Sequence, residues 1–260
     1  MNIIFLGDVF GKPGRELVLT QLDSLREKYN PDVIIINGEN LADGRGLTEK
    51  TTKPLFEAGI TSVTSGNHLW DRSEALEYLA RENRIIKPLN YPSGALGSPF
   101  FQVKTDVINL TILCLTGQAY MPSCDSPYTA MENFLASHND LTGPILVDFH
   151  AESTAEKRAF AFMFEGKISA VIGTHTHIQT ADEEILPQGT GYITDVGMTG
   201  PHDSVIGVKK QLIIDKMRTG MPVRYEVANS GMQLNGIFLN INQRTRRTEQ
   251  IIRIREIFQD

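Results

Sequence analysis

The chain has 260 residues, a net charge of −6 and 41% hydrophobic residues. Length and apolar content suit a single domain with a substantial core over residues 1–260, and the acidic balance argues against a broad nucleic-acid surface, which needs a basic field. No apolar run approaches the ~20 residues that span a bilayer, and Met1 to Leu6 lack the basic start of a signal peptide, so a cytoplasmic protein with no membrane partner is expected.

Asn2 to Leu6 is a short apolar run ended by Gly7-Asp8, a first strand. A helical pattern follows with Leu17, Leu22 and Leu25 on one face. Val33 to Ile36 reads as a second strand, ended by Asn37-Gly38-Glu39-Asn40. Thr48 to Ala58 reads as a helix stopped by Gly59. Ile60 to Thr64 is a third strand, ended by Ser65-Gly66-Asn67-His68, and a helix is predicted over about 73–81. This alternation argues for a parallel sheet. Phe100 to Thr105 and Val107 to Leu115 look like paired strands. Residues 117–128, rich in Pro, Ser and Gly, read as loop.

Thr129 to Ser137 predicts a helix, and Ile145 to Phe149 a buried strand ended by His150. Ser153 with Glu156 predicts a capping box opening a helix through about Phe164. Ala170 to Ile172 is the next strand. The glycine-rich stretch after Thr194 to Gly197, as far as Gly207, reads as loop. Gln233 to Asn242 and Glu249 to Ile257 predict a closing strand pair. Its arginines Arg253 and Arg255 alternate with isoleucines, as on an edge strand with a wet face. Cys114 sits in an apolar run as a buried thiol, and with Cys124 it suggests no disulfide framework.

Five predicted strand ends carry polar, ligand-type residues: Gly7-Asp8, Gly38-Glu39-Asn40, Gly66-Asn67-His68, Phe149-His150 and Gly173-Thr174-His175-Thr176-His177. Ligands of open α/β folds bind at the carboxyl ends of parallel strands. Carboxylates, a side-chain amide and imidazoles make a mixed oxygen and nitrogen shell, which suits manganese, iron or zinc better than calcium or magnesium alone. Two ions ~3.5–4 Å apart need a ligand touching both, and a carboxylate does this well, with Glu39 as the candidate.

In this order the motifs resemble those of the calcineurin-like dinuclear metallophosphoesterases. The strings Gly7-Asp8-Val9-Phe10-Gly11-Lys12-Pro13-Gly14-Arg15, Asn37-Gly38-Glu39-Asn40, Asp148-Phe149-His150-Ala151-Glu152 and Thr194-Asp195-Val196-Gly197-Met198-Thr199-Gly200-Pro201 are similar to the bacterial YmdB-like branch. The resemblance implies an α/β fold with two mixed β-sheets sandwiched and flanked by helices. It implies two divalent or trivalent metal ions, iron or manganese with zinc as the alternative.

Asp8 and His177 would hold the first ion and Glu39 would bridge, while Asn67, His150 and His175 would complete the second. It further implies hydrolysis of small phosphodiesters such as 2′,3′-cyclic nucleotides by a metal-activated hydroxide, with His68 protonating the leaving oxygen. Broad phosphatase activity, or a regulatory nucleotide-binding module signalling through a partner, are the competing readings. A homo-oligomer is compatible with the sequence.

The superfamily's usual Gly-Asp-x-His departs here to Phe10, which cannot ligate. Asn40 either replaces that histidine or shapes the turn after Glu39. Asp71 either orients His68 or caps the next helix, and Glu152 either supports His150 or is a helix-start charge. Segments 117–128 and 195–207 are candidates for a cap or substrate rim. His202 and Asp203 are candidate substrate contacts there, with Met198 and Pro201 as a wall for a base or ribose.

Overall fold

The computed structural model describes residues 1–258. Strand β1 (Asn2–Leu6) is followed by helix α1 (Gly11–Tyr29), β2 (Val33–Asn37), α2 (Glu49–Glu57) and β3 (Ser62–Thr64). β1, β2 and β3 pair in parallel, as the alternation predicted. α1 ends where Asn30 takes a left-handed conformation, and α2 opens on a reciprocal cap between Thr48 and Thr51. The predicted 73–81 helix is a 3-10 turn at Ser73–Ala75 and a single α-turn, α3 (Leu76–Leu79). It stops early because the chain returns to β3: Val63 N–H donates to Arg84 and Ile86 N–H donates to Val63.

β4 (Phe100–Lys104) and β5 (Asn109–Thr116) form the expected antiparallel pair. α4 (Pro127–Ser137) starts inside the predicted loop, because Ser126 caps it and a proline suits a first helical position. β6 (Ile145–His150), α5 (Thr154–Met163) and β7 (Ala170–Thr174) follow. Ser153 does cap α5, but the capping box is not reciprocal. The Glu156 carboxylate instead accepts from the N–H groups of Gln118 and Ala119, which fixes the start of the 117–126 loop.

β8 (Glu184–Ile185), β9 (Gly191–Ile193), β10 (Gly200–Pro201) and α6 (Lys210–Thr219) are additional elements, and β11 (Met232–Ile241) and β12 (Thr248–Ile257) close the chain. β10 lies within the stretch read as loop after Gly197. It is a two-residue pairing with β11 at Met232 and Gln233.

The first sheet runs β10-β11-β1-β2-β3, with β12 antiparallel on β11. The second runs β4-β5-β6-β7-β9-β8. Both are mixed. Period-two alternation divides each strand between two cores. Ile4, Leu6, Ile34 and Ile36 pack with Leu17, Leu22 and Leu25 of α1 and Leu55 of α2. Ile3, Phe5, Val33 and Ile35 meet Ile112, Cys114, Leu146 and Ile172 between the sheets. Leu113, Val147, Phe149 and Val171 face Phe134 of α4 and Phe160 of α5. The result is helices, sheet, sheet, helices.

Asn37, Thr64, Asp148, His150 and Thr174 continue the intersheet faces of their strands but are polar. They are all buried at one end of the intersheet core. No helix among the described residues is long and apolar enough to cross a membrane.

Candidate metal centre

The polar end of the intersheet core is a floor built on Asp148. Its carboxylate accepts from Asn37 Nδ2 at 2.9 Å, Thr64 Oγ1 at 2.5 Å and Thr174 Oγ1 at 2.7 Å. Since the Thr174 hydroxyl hydrogen goes to Asp148, Thr174 Oγ1 accepts from His150 Nδ1 at 2.8 Å. That fixes the proton on Nδ1 and turns Nε2 towards the site. His150 Nε2 lies 3.1 Å from Glu39 Oε1 and 3.0 Å from His175 Nδ1. Ligand atoms of Glu39, His150 and His175 all lie within 4.8 Å of one another. Glu39 Oε2 accepts from the His68 N–H at 3.2 Å.

Asp8 and His177 sit beside this cluster. Asp8 Oδ2 accepts from the His175 N–H at 3.2 Å, while Oδ1 lies 3.9 Å from His177 Nε2 and 4.0 Å from His150 Nδ1. The Ile206 carbonyl can only accept, so His177 Nδ1 donates to it at 3.1 Å and Nε2 is left bare. His175 and His177 both have positive φ, 105° and 66°, which non-glycine residues rarely adopt. Asp195 holds them there from below. It accepts from the Thr176 N–H and hydroxyl at 3.0 and 2.8 Å and from Lys157 Nζ at 2.9 Å, and both charged partners are buried.

Several donor atoms are conspicuously unused. Among the described residues, the buried oxygens Asp8 Oδ1, Asn40 Oδ1 and Asn67 Oδ1 accept no hydrogen bond. Buried acceptors without partners are rare and call for an ion or water. Gly66 also belongs to the site, because a Cβ there would collide with Glu39 Oε2 and the His150 ring. This donor set of carboxylate and amide oxygens and imidazole nitrogens fits a transition-metal centre. Asn40 takes the turn-shaping role: its Nδ2 donates to the Gly44 carbonyl at 2.9 Å, which leaves Oδ1 without a partner. Phe10 packs edge-on to His177 with ring centroids 5.6 Å apart and covers it with Met198, Val208 and Ile213.

His68 lies at the rim. Its Nδ1 is 2.8 Å from Asp71 Oδ2, and Arg45 reaches the same carboxylate at 2.9 Å, so Asp71 orients His68 and does not cap the following helical turn. Glu152 lies 3.2 Å from His175 Nε2 and so supports His175, not His150. A cavity of 520 Å³ opens above the cluster, lined by Glu39, His68, His175, His177 and Arg45 with Ile206 and Tyr225.

The expected rim lies mostly elsewhere. His202 Nε2 is turned inward onto the Met198 carbonyl at 2.9 Å, and Asp203 pairs with Lys210 at 2.5 Å. Neither residue lines the cavity, nor do residues 117–128, and Met198 and Pro201 are buried. A larger cleft, of 760 Å³, lies beside α4, but its buried Lys87 is occupied by the carbonyls of Pro92, Ser93 and Ala95.

Burial lifts the Asp8 carboxyl to about 8, against the pull of His150, with the Glu39 charge adding to the rise. Burial acts on Glu39 in the same sense, but the charge and hydrogen bond of His150 prevail and lower it to about 2. Burial opposes charge on His150, yet facing Glu39 and Asp8 raises it to about 9. Burial and the neighbouring His150 push His175 down to about 3, and burial also lowers His177.

In the metal-free cluster burial thus favours a proton on Asp8 and the Glu39 charge favours one on His150, whereas His150 keeps Glu39 ionised and burial keeps His175 and His177 neutral. Metal ligands must be deprotonated. Manganese uptake at pH 7 is expected to release protons, and apparent affinity should climb towards pH 9 and then level off. Titration calorimetry in two buffers of different ionisation enthalpy reads this directly, and equal heats in both buffers would refute it.

The family described as "YmdB-like protein" matches residues 4–254. The chain is 42% identical to a Bacillus subtilis protein named 2′,3′-cyclic-nucleotide 2′-phosphodiesterase, over 98% of this chain and 96% of that one. It is similar to a crystal structure of a novel phosphatase from Mycoplasma pneumoniae, with a TM-score of 0.95 and 35% identity, covering 100% of this chain and 94% of that one. A hypothetical protein from Thermus thermophilus superposes with a TM-score of 0.92 at 36% identity, covering 99% of each chain. With full-length likeness in sequence and in fold, the chain belongs to the YmdB-like protein family.

Proposed function

We propose that this chain is a metal-dependent phosphoric ester hydrolase that cleaves small phosphodiesters, with 2′,3′-cyclic nucleotides as its substrate class. The observation that carries the proposal is the buried Glu39–His150–His175 cluster, with the unpartnered Oδ1 of Asp8 beside it at 3.9 Å from His177 Nε2. The name of the Bacillus subtilis relative supports the choice of phosphodiester. The family implies divalent metals. In our assignment Asp8, Asn40 and His177 would hold one ion, iron or manganese, and Asn67, His150 and His175 a second, with Glu39 serving both.

Divalent ions supply Lewis acidity, lowering the pKa of water and offsetting charge on phosphoryl oxygens. The chain's own residues do the rest. Asp148, through Thr174, and the Ile206 carbonyl fix the tautomers of His150 and His177. Asp71 holds His68 by Nδ1, so Nε2 is the nitrogen that gives a proton to the leaving oxygen.

Metal analysis of protein purified without added metal, followed by a panel of 2′,3′-cyclic nucleotides, 3′,5′-cyclic nucleotides and nitrophenyl esters, tests the reading. Less than about one ion per chain with no activation by manganese or iron would remove the metal centre. Faster turnover of monoesters than of diesters would replace the phosphodiesterase by a phosphatase. His68→Ala should lower kcat by roughly 10²–10⁴-fold while metal content stays unchanged, and loss of metal in that variant would place His68 among the ligands instead.

A further inference from the structure

Two residues at the mouth of the cavity are not accounted for by metal binding or proton transfer. Ile206 is β-branched yet held at φ 47°, a conformation such side chains avoid. Its side chain is also 52% exposed. The carbonyl of Ile206 orients His177, but glycine or asparagine would supply that carbonyl with less strain. Strained backbone persists mainly where surrounding structure fixes it at ligand-contacting segments.

Tyr225 is the second residue. It lines the same cavity and is 48% exposed. The chain just after it is anchored: Lys209 N–H donates to the Glu226 carbonyl, and Val227 bridges to Val208. Lys216 lies 4.8 Å from the ring centroid and donates to the hydroxyl. Among the described residues no other ring stacks on Tyr225.

The 520 Å³ cavity thus has two kinds of lining. His68, Arg45 and the metal-centre residues are polar and ionisable, while Phe10, Ile206, Val208 and Tyr225 are apolar or aromatic. A phosphoryl group alone has no use for the second kind. Small-ligand sites of about 300–1,000 Å³ combine such an apolar wall with a few polar anchors.

We propose that Tyr225 and Ile206 form a nucleobase subsite, in which the base of a 2′,3′-cyclic nucleotide stacks on the Tyr225 ring and packs against Ile206. The inference rests on the phosphodiesterase reading of the metal centre. Stacking tolerates any base, because every base has a π-face. The subsite therefore favours purines over pyrimidines by ring area and does not distinguish bases within either class.

The test compares kcat/KM for adenosine 2′,3′-cyclic phosphate with that for ribose 2′,3′-cyclic phosphate, which lacks the base. Wild-type protein should prefer the nucleotide, and Tyr225→Ala should reduce that preference about tenfold, mainly through KM. Tyr225→Phe should retain it. Ile206→Asn, which suits the left-handed backbone, should reduce it while leaving the thermal midpoint unchanged or raised. A wild-type preference near unity, or an unchanged preference in Tyr225→Ala, would overturn the subsite and leave the phosphodiesterase standing. A loss in Tyr225→Phe as large as in Tyr225→Ala would overturn stacking in favour of the hydroxyl. Failure of wild-type protein to cleave either cyclic phosphate would overturn the phosphodiesterase reading and the subsite with it.

Discussion

Glu39→Gln should abolish turnover and cost the protein most of its bound metal. The substitution keeps the shape of the side chain, so effects of packing are small. It removes a negative charge from a buried site in which Oε1 faces His150 Nε2 at 3.1 Å and Oε2 accepts from the His68 N–H. An amide nitrogen cannot ligate a cation through a lone pair, so the amide offers one ligand oxygen where the carboxylate offers two, and with that oxygen on the His68 N–H the NH2 faces His150 Nε2. The Glu39 charge is also the main attraction that raises His150, so the variant should hold a neutral His150 at pH 7 and release fewer protons on metal uptake.

The rate loss should exceed about 10³-fold, because both positioning and electrostatic stabilisation depend on the ion. Metal content by mass spectrometry, proton release by calorimetry and turnover of a cyclic nucleotide give three readings. Full metal content with a tenfold or smaller rate loss would show that Glu39 is not the shared ligand.

The Glu39 position illustrates what a reader of the sequence can find. Apolar runs that stop abruptly on polar residues mark strand ends, and a parallel sheet places such ends together. Asp8, Glu39, Asn67, His150 and the His175–His177 pair are visible for that reason, as are the parallel order of the first three strands and the wet edge strand at Thr248–Ile257. What supports them is less visible. Asp148 lies in an apolar strand, two residues before His150, so the period of two puts it on the same face. That spacing was the available signal for the polar floor.

Lys157 gave no comparable signal, because a lysine in a helix reads as solvated until the fold buries it against Asp195. α6 buries only Ile213, so its sequence pattern is weak. β9 is three residues long, and its pairing beside β7 is a product of tertiary packing. The rim candidates His202 and Asp203 do not line the cavity for a related reason. His202 and Asp203 are chemically suited to contact a substrate, but local hydrogen bonds turn one inward and tie the other to Lys210.

Lys157→Met should lower stability by about 3 kcal/mol, near the lower end of the cost of breaking a buried ion pair by removing one partner. Lys157 is fully buried and makes two bonds, to Asp195 Oδ2 at 2.9 Å and to the Thr174 carbonyl at 2.7 Å. Methionine fills most of the space but leaves the Asp195 charge without its cation. The loss should stay near the lower end because Asp195 still accepts from Thr176 and from the Gly197 N–H.

The same contacts hold Thr176 between two histidines with positive φ, so slackening them should release His175 and His177 towards ordinary backbone. Metal affinity should then fall with stability, since part of the binding free energy must rebuild the loop. Urea denaturation of the metal-free variant measures the first effect, and metal titration measures the second. A loss below about 1 kcal/mol would show that the hydrogen bonds alone carry Asp195. Unchanged metal affinity in a variant destabilised as expected would separate the buried pair from the histidine loop and leave it a role in folding alone.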